Sequence, residues 1–107
     1  MDTVTALMAE MVAGHGNDTA IIYHDEPITY AELDDMSRRA ATVLADLGVG
    51  PGDRVALWLP NCPAYVALCL GCCRLGAIAV AVNTRFRSTE VSDIVSRVGA
   101  EIMVMWP

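Results

Sequence analysis

The sequence contains no lysine, and this absence sets the first limit on what the chain can do. Its 107 residues carry 13 acidic and 7 basic side chains, so the net charge is −6 and every basic side chain is an arginine. Proteins that bind nucleic acids neutralise phosphates with clustered basic side chains, and no basic run occurs here. We therefore expect no nucleic-acid partner.

An export signal is also lacking. The first residues, "MDTVTALMAEMVAGHG", have neither the basic start nor the uninterrupted apolar stretch of a secretory signal. We therefore expect a cytoplasmic protein whose four cysteines stay reduced. The hydrophobic fraction of 54% and the charged fraction of 19% favour a folded domain over a disordered chain.

The longest apolar stretch, "CPAYVALCLGCCRLGAIAVAV", holds all four cysteines and a single charge, Arg74. A membrane-spanning helix needs about 20 consecutive apolar residues. Gly76 interrupts this stretch, and the alternating β-branched residues after it favour a strand. The stretch is therefore predicted to be a helix followed by a strand, with no transmembrane segment.

The cysteines allow three interpretations: a structural zinc site, a redox site, or thiols packed in the core. Their spacing distinguishes these. Cys69, Cys72 and Cys73 resemble a C-x-x-C motif with one extra thiol, but a structural zinc ion needs four ligands, and both histidines lie far upstream. A thioredoxin-like motif opens a helix, whereas these residues lie near the end of one, where the helix dipole does not favour a thiolate. We favour thiols packed in a core helix; a small redox protein that uses Cys69 and Cys72 remains an alternative.

One helix start is clearly marked. Thr29 and Glu32 have the spacing of a capping box, in which each side chain bonds the other residue's backbone N–H. Gly48 suits the end of the same helix. Its apolar residues predict one buried stripe, and its charges predict two i,i+4 ion pairs: Leu33, Met36, Ala40, Val43, Leu44 and Leu47 for the stripe, Asp34–Arg38 and Asp35–Arg39 for the pairs.

The remaining pattern predicts an α/β fold with a partial parallel sheet flanked by helices and an N-terminal β-hairpin. Continuous apolar strands that alternate with helices are typical of a parallel sheet covered on both sides. A helix that is apolar on all sides is normally enclosed by protein, so residues 1–107 are interpreted as an incomplete domain of a larger enzyme. The predicted elements are a helix at Thr3–Ala13, a hairpin from Ala20 to Ile28 with its turn at His24–Pro27, strands at Val55–Leu59, Ile78–Val82 and Ile102–Trp106, and helices at Pro63–Leu75 and Ser88–Val98.

Two motifs and the link between them carry a family resemblance. They are Thr29-Tyr30-x-Glu32-Leu33, then "GVGPGDRVAL", then Arg74-Leu75-Gly76-Ala77 leading into a strand and Asn83. In this order and spacing they resemble the N-terminal region of the adenylate-forming (AMP-binding) enzymes, which include acyl- and aryl-CoA ligases, peptide-synthetase adenylation domains and luciferases. The resemblance covers about Ala20 to Val104, and "VNTRFRSTEV" is similar to the CoA ligases.

The resemblance implies a two-step reaction in the complete enzyme. A fatty or aryl carboxylic acid reacts with ATP, assisted by Mg²⁺, to give acyl-AMP, and the CoA thiol then displaces AMP. The family's phosphate loop and catalytic lysine do not occur in this chain, so the chain alone is expected to be inactive, to bind no cofactor and to serve as scaffold for the remainder of the same enzyme. The resemblance places Arg85 near the CoA phosphates; an ordinary solvated loop arginine is the alternative.

A hypothesis of a different class also fits the apolar composition. The chain could be a free-standing α/β interaction module that closes its apolar surface by forming an oligomer. As a fragment of an enzyme, it could also form an oligomer or a domain-swapped dimer. The acid substrate is not indicated by any residue of the chain.

Overall fold

The computed structural model describes residues 3–60, 62–82, 88–100 and 102–105. Four helices and five strands occur in these ranges. In chain order they are α1 (Thr3–His15), β1 (Thr19–Tyr23), β2 (Glu26–Thr29), α2 (Tyr30–Asp46), β3 (Arg54–Trp58), α3 (Pro63–Leu75), β4 (Ile78–Ala81), α4 (Ser88–Val98) and β5 (Ile102–Met105). The predicted α/β class is confirmed.

Strands β1 and β2 form the predicted antiparallel hairpin, with a shorter turn than the sequence suggested. His24 and Asp25 alone make the turn, with φ of 49° and 65°. Two successive residues with positive φ give a hairpin turn whose twist matches that of the strands. Glu26 and Pro27, predicted to belong to the turn, are the first residues of β2.

The start of α2 is the predicted capping box. The Glu32 backbone N–H donates to Thr29 Oγ1 at 3.1 Å, and the Thr29 backbone N–H donates to Glu32 Oε1 at 3.1 Å. Leu47 caps the end of this helix, and Gly48 follows with φ of +94°, a conformation that glycine adopts without strain. Helix α3 likewise begins at Pro63, and its C-cap is Gly76, which has φ of +71°.

The second sheet is parallel, in the order β4-β3-β5. Val55 pairs with Ala79 on one side and with Ile102 on the other. The predicted strand assignments are confirmed to within a residue at the ends, apart from Trp106, which lies outside the described residues. With β3 in the middle, all its inner residues from Val55 to Leu57 are fully buried.

Side chains of β3 alternate between two separate cores, one on each side of the sheet. Val55 and Leu57 face the layer of α2 and α3, where they pack with Leu44 and Cys72. Ala56 faces the opposite side, which α4 covers. The three layers of helix, sheet and helix agree with the continuous apolar character of the strand.

The buried side of α2 is rotated from the predicted stripe. Leu33 and Leu44 are buried as predicted, but Val43 and Leu47 are 59% and 61% exposed. Asp34 and Ser37 lie in the buried row instead, because α3 presents a polar partner to them at Arg74. The prediction that Val43 and Leu47 are buried was therefore wrong. A stripe assigned from hydrophobic residues alone leaves out polar residues, such as Asp34 and Ser37, that are buried together with a hydrogen-bonding partner.

The crossing of α2 and α3 is unusually close at Gly71. A Cβ atom on Gly71 would lie 3.0 Å from the Ala41 backbone nitrogen and 3.1 Å from the Ala40 Cβ. Small residues on both helices therefore set the separation of the two axes.

Gly71→Ala is expected to lower the free energy of unfolding by about 1–2 kcal/mol, because overpacking against backbone outweighs the helix propensity gained by alanine. Gly14→Ala in α1 is the matched control, because nothing lies within 4 Å of its added Cβ. That variant should be neutral or more stable. Urea unfolding of both variants measures the difference, and equal midpoints would contradict the close crossing.

Candidate functional site

The predicted site residue, Arg85, lies outside the described residues, as do Asn83 and Arg87. The elements on either side are described: β4 ends at Ala81, and α4 begins at Ser88. The segment that carries Arg85 therefore connects the carboxyl end of a parallel strand to the start of a helix. Ligands of open α/β sheets bind at the carboxyl ends of strands.

A buried polar cluster joins α2 to α3. Arg74 Nη2 donates to Asp34 Oδ1, and Arg74 Nε donates to Ser37 Oγ at 3.0 Å. The Ser37 hydroxyl in turn donates to the Asp34 carbonyl at 2.7 Å. Ser37 is fully buried and Asp34 is 7% exposed. Sequence reasoning missed this cluster, because its partners lie 37 and 40 positions apart in the chain.

Both oxygens of the Asp34 carboxylate are engaged. Oδ2 lies 3.2 Å from Arg38 Nε, and Oδ1 accepts from Arg74. The predicted pairs Asp34–Arg38 and Asp35–Arg39 are both present. Charge-assisted contacts with two guanidinium groups hold this nearly buried carboxylate in place. The cluster therefore joins α2 to α3 and stabilises the fold.

The thiols of α3 are placed for packing. Cys72 is 1% exposed, and burial raises its pKa to about 11; Cys69 is half-buried, and burial raises its pKa as well. A raised pKa keeps a thiol protonated at neutral pH, whereas nucleophilic cysteines need the thiolate. The free thiols therefore support the core interpretation over a redox site at Cys69 and Cys72. Of the three clustered thiols, Cys72 is buried, whereas Cys69 and Cys73 are half-buried.

The stability of the chain is expected to fall by about 1–2 kcal/mol between pH 9 and pH 11 because of Cys72. In the unfolded chain this thiol ionises near its ordinary value of 9.0, and in the folded chain only near 11. The unfolded state therefore loses its proton first and is favoured as the pH rises. Chemical unfolding at pH 8, 9, 10 and 11 gives the slope of the free energy of unfolding against pH, for the original chain and for Cys72→Ala. Identical slopes would contradict the assignment of this pH dependence to Cys72.

The histidines are not brought together. His15 pairs with Asp18, with Nδ1 and Oδ2 2.8 Å apart, and His24 packs edge-on against Tyr23 at the hairpin turn. Within the described ranges, no three His, Cys, Asp or Glu side chains form a group able to hold a metal ion. No helix in those ranges has the length and apolar character needed to cross a bilayer.

Two apolar grooves lie on the helical layer. The first, of about 400 Å³, runs between α1, α2 and α3; the second, of about 360 Å³, runs between α2 and α3 and has Arg39 at its edge. Arg39 is already paired with Asp35 at 2.9 Å. Among the residues that the structure describes, these linings contain no other charged side chain: Val4, Leu7, Met8, Met11, Tyr30, Leu33, Val66 and Leu70 in the first, Met36, Ala40, Val43, Ala64, Ala67 and Leu68 in the second.

A family model described as "AMP-binding enzyme" matches residues 8–106, which is nearly the whole chain. The chain belongs to the AMP-binding enzyme family. This membership confirms the family that the two sequence motifs indicated. The motif residues fall at structurally distinct points: Thr29 and Glu32 cap α2, and Gly76 ends α3.

Two sequence relatives within the family are CoA ligases of Mycobacterium tuberculosis. The chain is 42% identical over 101 residues to a 3-[(3aS,4S,7aS)-7a-methyl-1,5-dioxo-octahydro-1H-inden-4-yl]propanoyl:CoA ligase, covering 94% of the chain and 20% of that protein. It is 42% identical over 80 residues to the long-chain-fatty-acid–CoA ligase FadD13, covering 75% of the chain and 16% of that protein. The chain thus spans about one fifth of the length of the curated relatives it matches.

A solved structure supports the fold. The N-terminal domain of FACL13 from Mycobacterium tuberculosis, determined with a bound inhibitor, superposes with a TM-score of 0.92 at 34% identity. The match covers 98% of this chain and 27% of that one. The predicted fold, part of the N-terminal region of an adenylate-forming enzyme, is confirmed.

Proposed function

We propose that residues 1–107 are the N-terminal portion of an ATP-dependent carboxylic-acid:CoA ligase and form an incomplete domain of it. The observation that carries this proposal is the 42% identity to a CoA ligase over 94% of the chain. The reaction converts a fatty or aryl carboxylic acid to acyl-AMP and then to the CoA thioester. The names of the two relatives specify different acids, so the proposed substrate class remains a fatty or aryl carboxylic acid.

In this proposal the chain serves as scaffold, and the reactive groups belong to the rest of the enzyme. The sequence has no lysine, so it cannot supply the cation that stabilises the developing charge on the phosphate in this family. The described carboxylate that is most deeply buried, Asp34, is held by Arg38 and Arg74. ATP, Mg²⁺ and CoA are therefore cofactors of the complete ligase, the chain by itself is inactive, and a cytoplasmic location stays a prediction.

Arg85 is proposed as the contribution of this chain to CoA binding. The guanidinium group is planar and donates two parallel hydrogen bonds, which suits a phosphate. The position of its segment, between the carboxyl end of β4 and the start of α4, supports this role. The role adds binding energy for CoA and no chemistry at the reacting atoms.

The test is Arg85→Ala in a full-length ligase that carries this sequence. The apparent KM for CoA is expected to rise about tenfold, the equivalent of one charge-assisted hydrogen bond, while the KM values for ATP and the acid stay the same. Arg97→Ala is the control, because Arg97 on α4 is exposed and paired with Asp93 at 3.1 Å. A KM for CoA that is unchanged in Arg85→Ala would remove Arg85 from the site.

A further inference from the structure

The C-x-x-C-C segment of α3, from Cys69 to Cys73, has no part in the proposed function. Cys69 and Cys73 are one helical turn apart and half-buried, whereas Cys72 between them is 1% exposed. Side chains at positions i and i+4 of a helix are neighbours on one face, with their Cβ atoms about 5–6 Å apart. Cys69 and Cys73, which we refer to as the thiol pair, are therefore adjacent and partly open to solvent.

The pKa values of the cysteines agree with this proximity. Burial is the larger cause of the raised pKa of Cys69, and the charge of Cys73 is the second. For Cys72, whose pKa rises to about 11, burial is again the larger cause, and the charges of Cys69 and Cys73 add to it. Neighbouring thiolates repel each other, so a cation that binds both of them removes the repulsion.

A disulfide does not fit the spacing of the thiol pair. The Cβ atoms of a disulfide lie about 3.5–4.5 Å apart, and a larger separation strains the bond. An undistorted helix holds the two Cβ atoms farther apart than this. A cation that two thiolates bind in a line, with bonds about as long as the 2.3 Å of zinc–thiolate bonds, places the two sulfur atoms about 4.6 Å apart. The spacing of the pair therefore suits a bridging ion better than oxidation.

The number of available ligands limits which cation the thiol pair can hold. In the part of the chain that the structure describes, no group of three His, Cys, Asp or Glu side chains is able to hold a metal ion. Structural zinc takes four ligands, so two thiols are too few for it. Thiolates are soft ligands that select soft cations such as Cu(I), for which two thiolates in a line are sufficient. The raised pKa values do not prevent binding, because the cation displaces the thiol protons.

We propose that Cys69 and Cys73 together bind one soft, two-coordinate cation of the Cu(I) class. Each thiol releases its proton to solvent and forms one sulfur–metal bond, and no electron is transferred. The bridge joins successive turns of α3 and leaves the Cys72 thiol in the core, where it packs with Leu44 and Val55. The site is separate from Arg85, and the inference does not rest on the proposed function.

The experiment titrates the reduced 107-residue chain with Cu(I) in the absence of oxygen, with bicinchoninate as a coloured competitor. One Cu(I) per chain is expected. Cys69→Ser and Cys73→Ser should each weaken the affinity at least about tenfold, because losing a direct ligand costs no less than losing a group that supports one. Cys62→Ser and Cys72→Ala, which alter the two buried cysteines, are the matched controls and should keep the affinity of the original chain.

A second measurement distinguishes a site in the folded helix from thiols that capture the ion after unfolding. An equimolar amount of Cu(I) is expected to raise the urea midpoint of the original chain, because a ligand that prefers the folded state stabilises it. Circular dichroism should show unchanged helix content in the original chain and in each variant. A lowered midpoint, or loss of helix when Cu(I) is added, would mean that the unfolded chain binds the ion more tightly and would overturn the inference.

Other results would also overturn it. One is the absence of Cu(I) uptake in competition with bicinchoninate. Another is an affinity that is lost in Cys62→Ser or Cys72→Ala but kept in Cys73→Ser, because the ligands would then lie outside the thiol pair. A third is Zn²⁺ bound as tightly as Cu(I), since zinc would require ligands beyond the two thiols.

Discussion

Arg74→Met is expected to lower the free energy of unfolding by about 2–4 kcal/mol. The substitution keeps most of the apolar volume of the side chain but removes the guanidinium group. Asp34 and Ser37 would then stay buried with fewer hydrogen bonds, and the cost of an unpaired buried carboxylate exceeds that of most surface changes. The retained contact between Arg38 Nε and Asp34 Oδ2, at 3.2 Å, keeps the loss below the full cost of an isolated charge.

Urea unfolding of a double-mutant cycle measures this effect. Asp34→Leu combined with Arg74→Met should be more stable than Arg74→Met alone, because no unpaired charge remains in the buried site. Arg39→Ala is the matched control: the Arg39–Asp35 pair is exposed, so it should change stability by less than about 0.5 kcal/mol. If Arg74→Met lowered the free energy of unfolding no more than Arg39→Ala does, the buried cluster would have no structural role.

Leu44→Ala is expected to lower the free energy of unfolding by about 2–5 kcal/mol, the range for a buried leucine replaced by alanine. Leu44 is 1% exposed and packs with Val55, Leu57 and Cys72 between α2 and the sheet. The loss combines the apolar surface no longer buried with the cavity that is left. Thermal unfolding followed by circular dichroism measures it.

Leu47→Ala provides the control within the same segment. Leu47 is 61% exposed, so the same chemical change should alter stability by less than about 0.5 kcal/mol. The sequence placed both leucines on one stripe. Equal losses in the two variants would show that the predicted stripe, and not the observed burial, describes α2 correctly.

Local features could be predicted from the sequence because they depend on neighbouring residues. The capping box of α2 and the bounds Pro63–Leu75 of α3 depend on residues within one helical turn of each helix end. The parallel sheet followed from three apolar runs separated by helices. These elements were correct because local and tertiary preferences agree there.

Features that depend on distant residues could not be predicted. The burial of Asp34 requires Arg74, 40 positions later, and nothing in the helical pattern of α2 indicates that partner. For the same reason the pattern placed Val43 in the core. The candidate site residue, Arg85, came from the family resemblance and not from its local sequence, since an arginine in a polar loop is most often solvated.

The contact at Gly71 constrains how homologous chains can vary. Its missing side chain leaves just enough room for the Ala40 Cβ, 3.1 Å from where a Cβ on position 71 would lie. The same Cβ would also lie 3.0 Å from the Ala41 backbone nitrogen, a contact that no substitution at position 40 removes. Homologous chains in which the two helices cross this closely should therefore keep glycine at position 71.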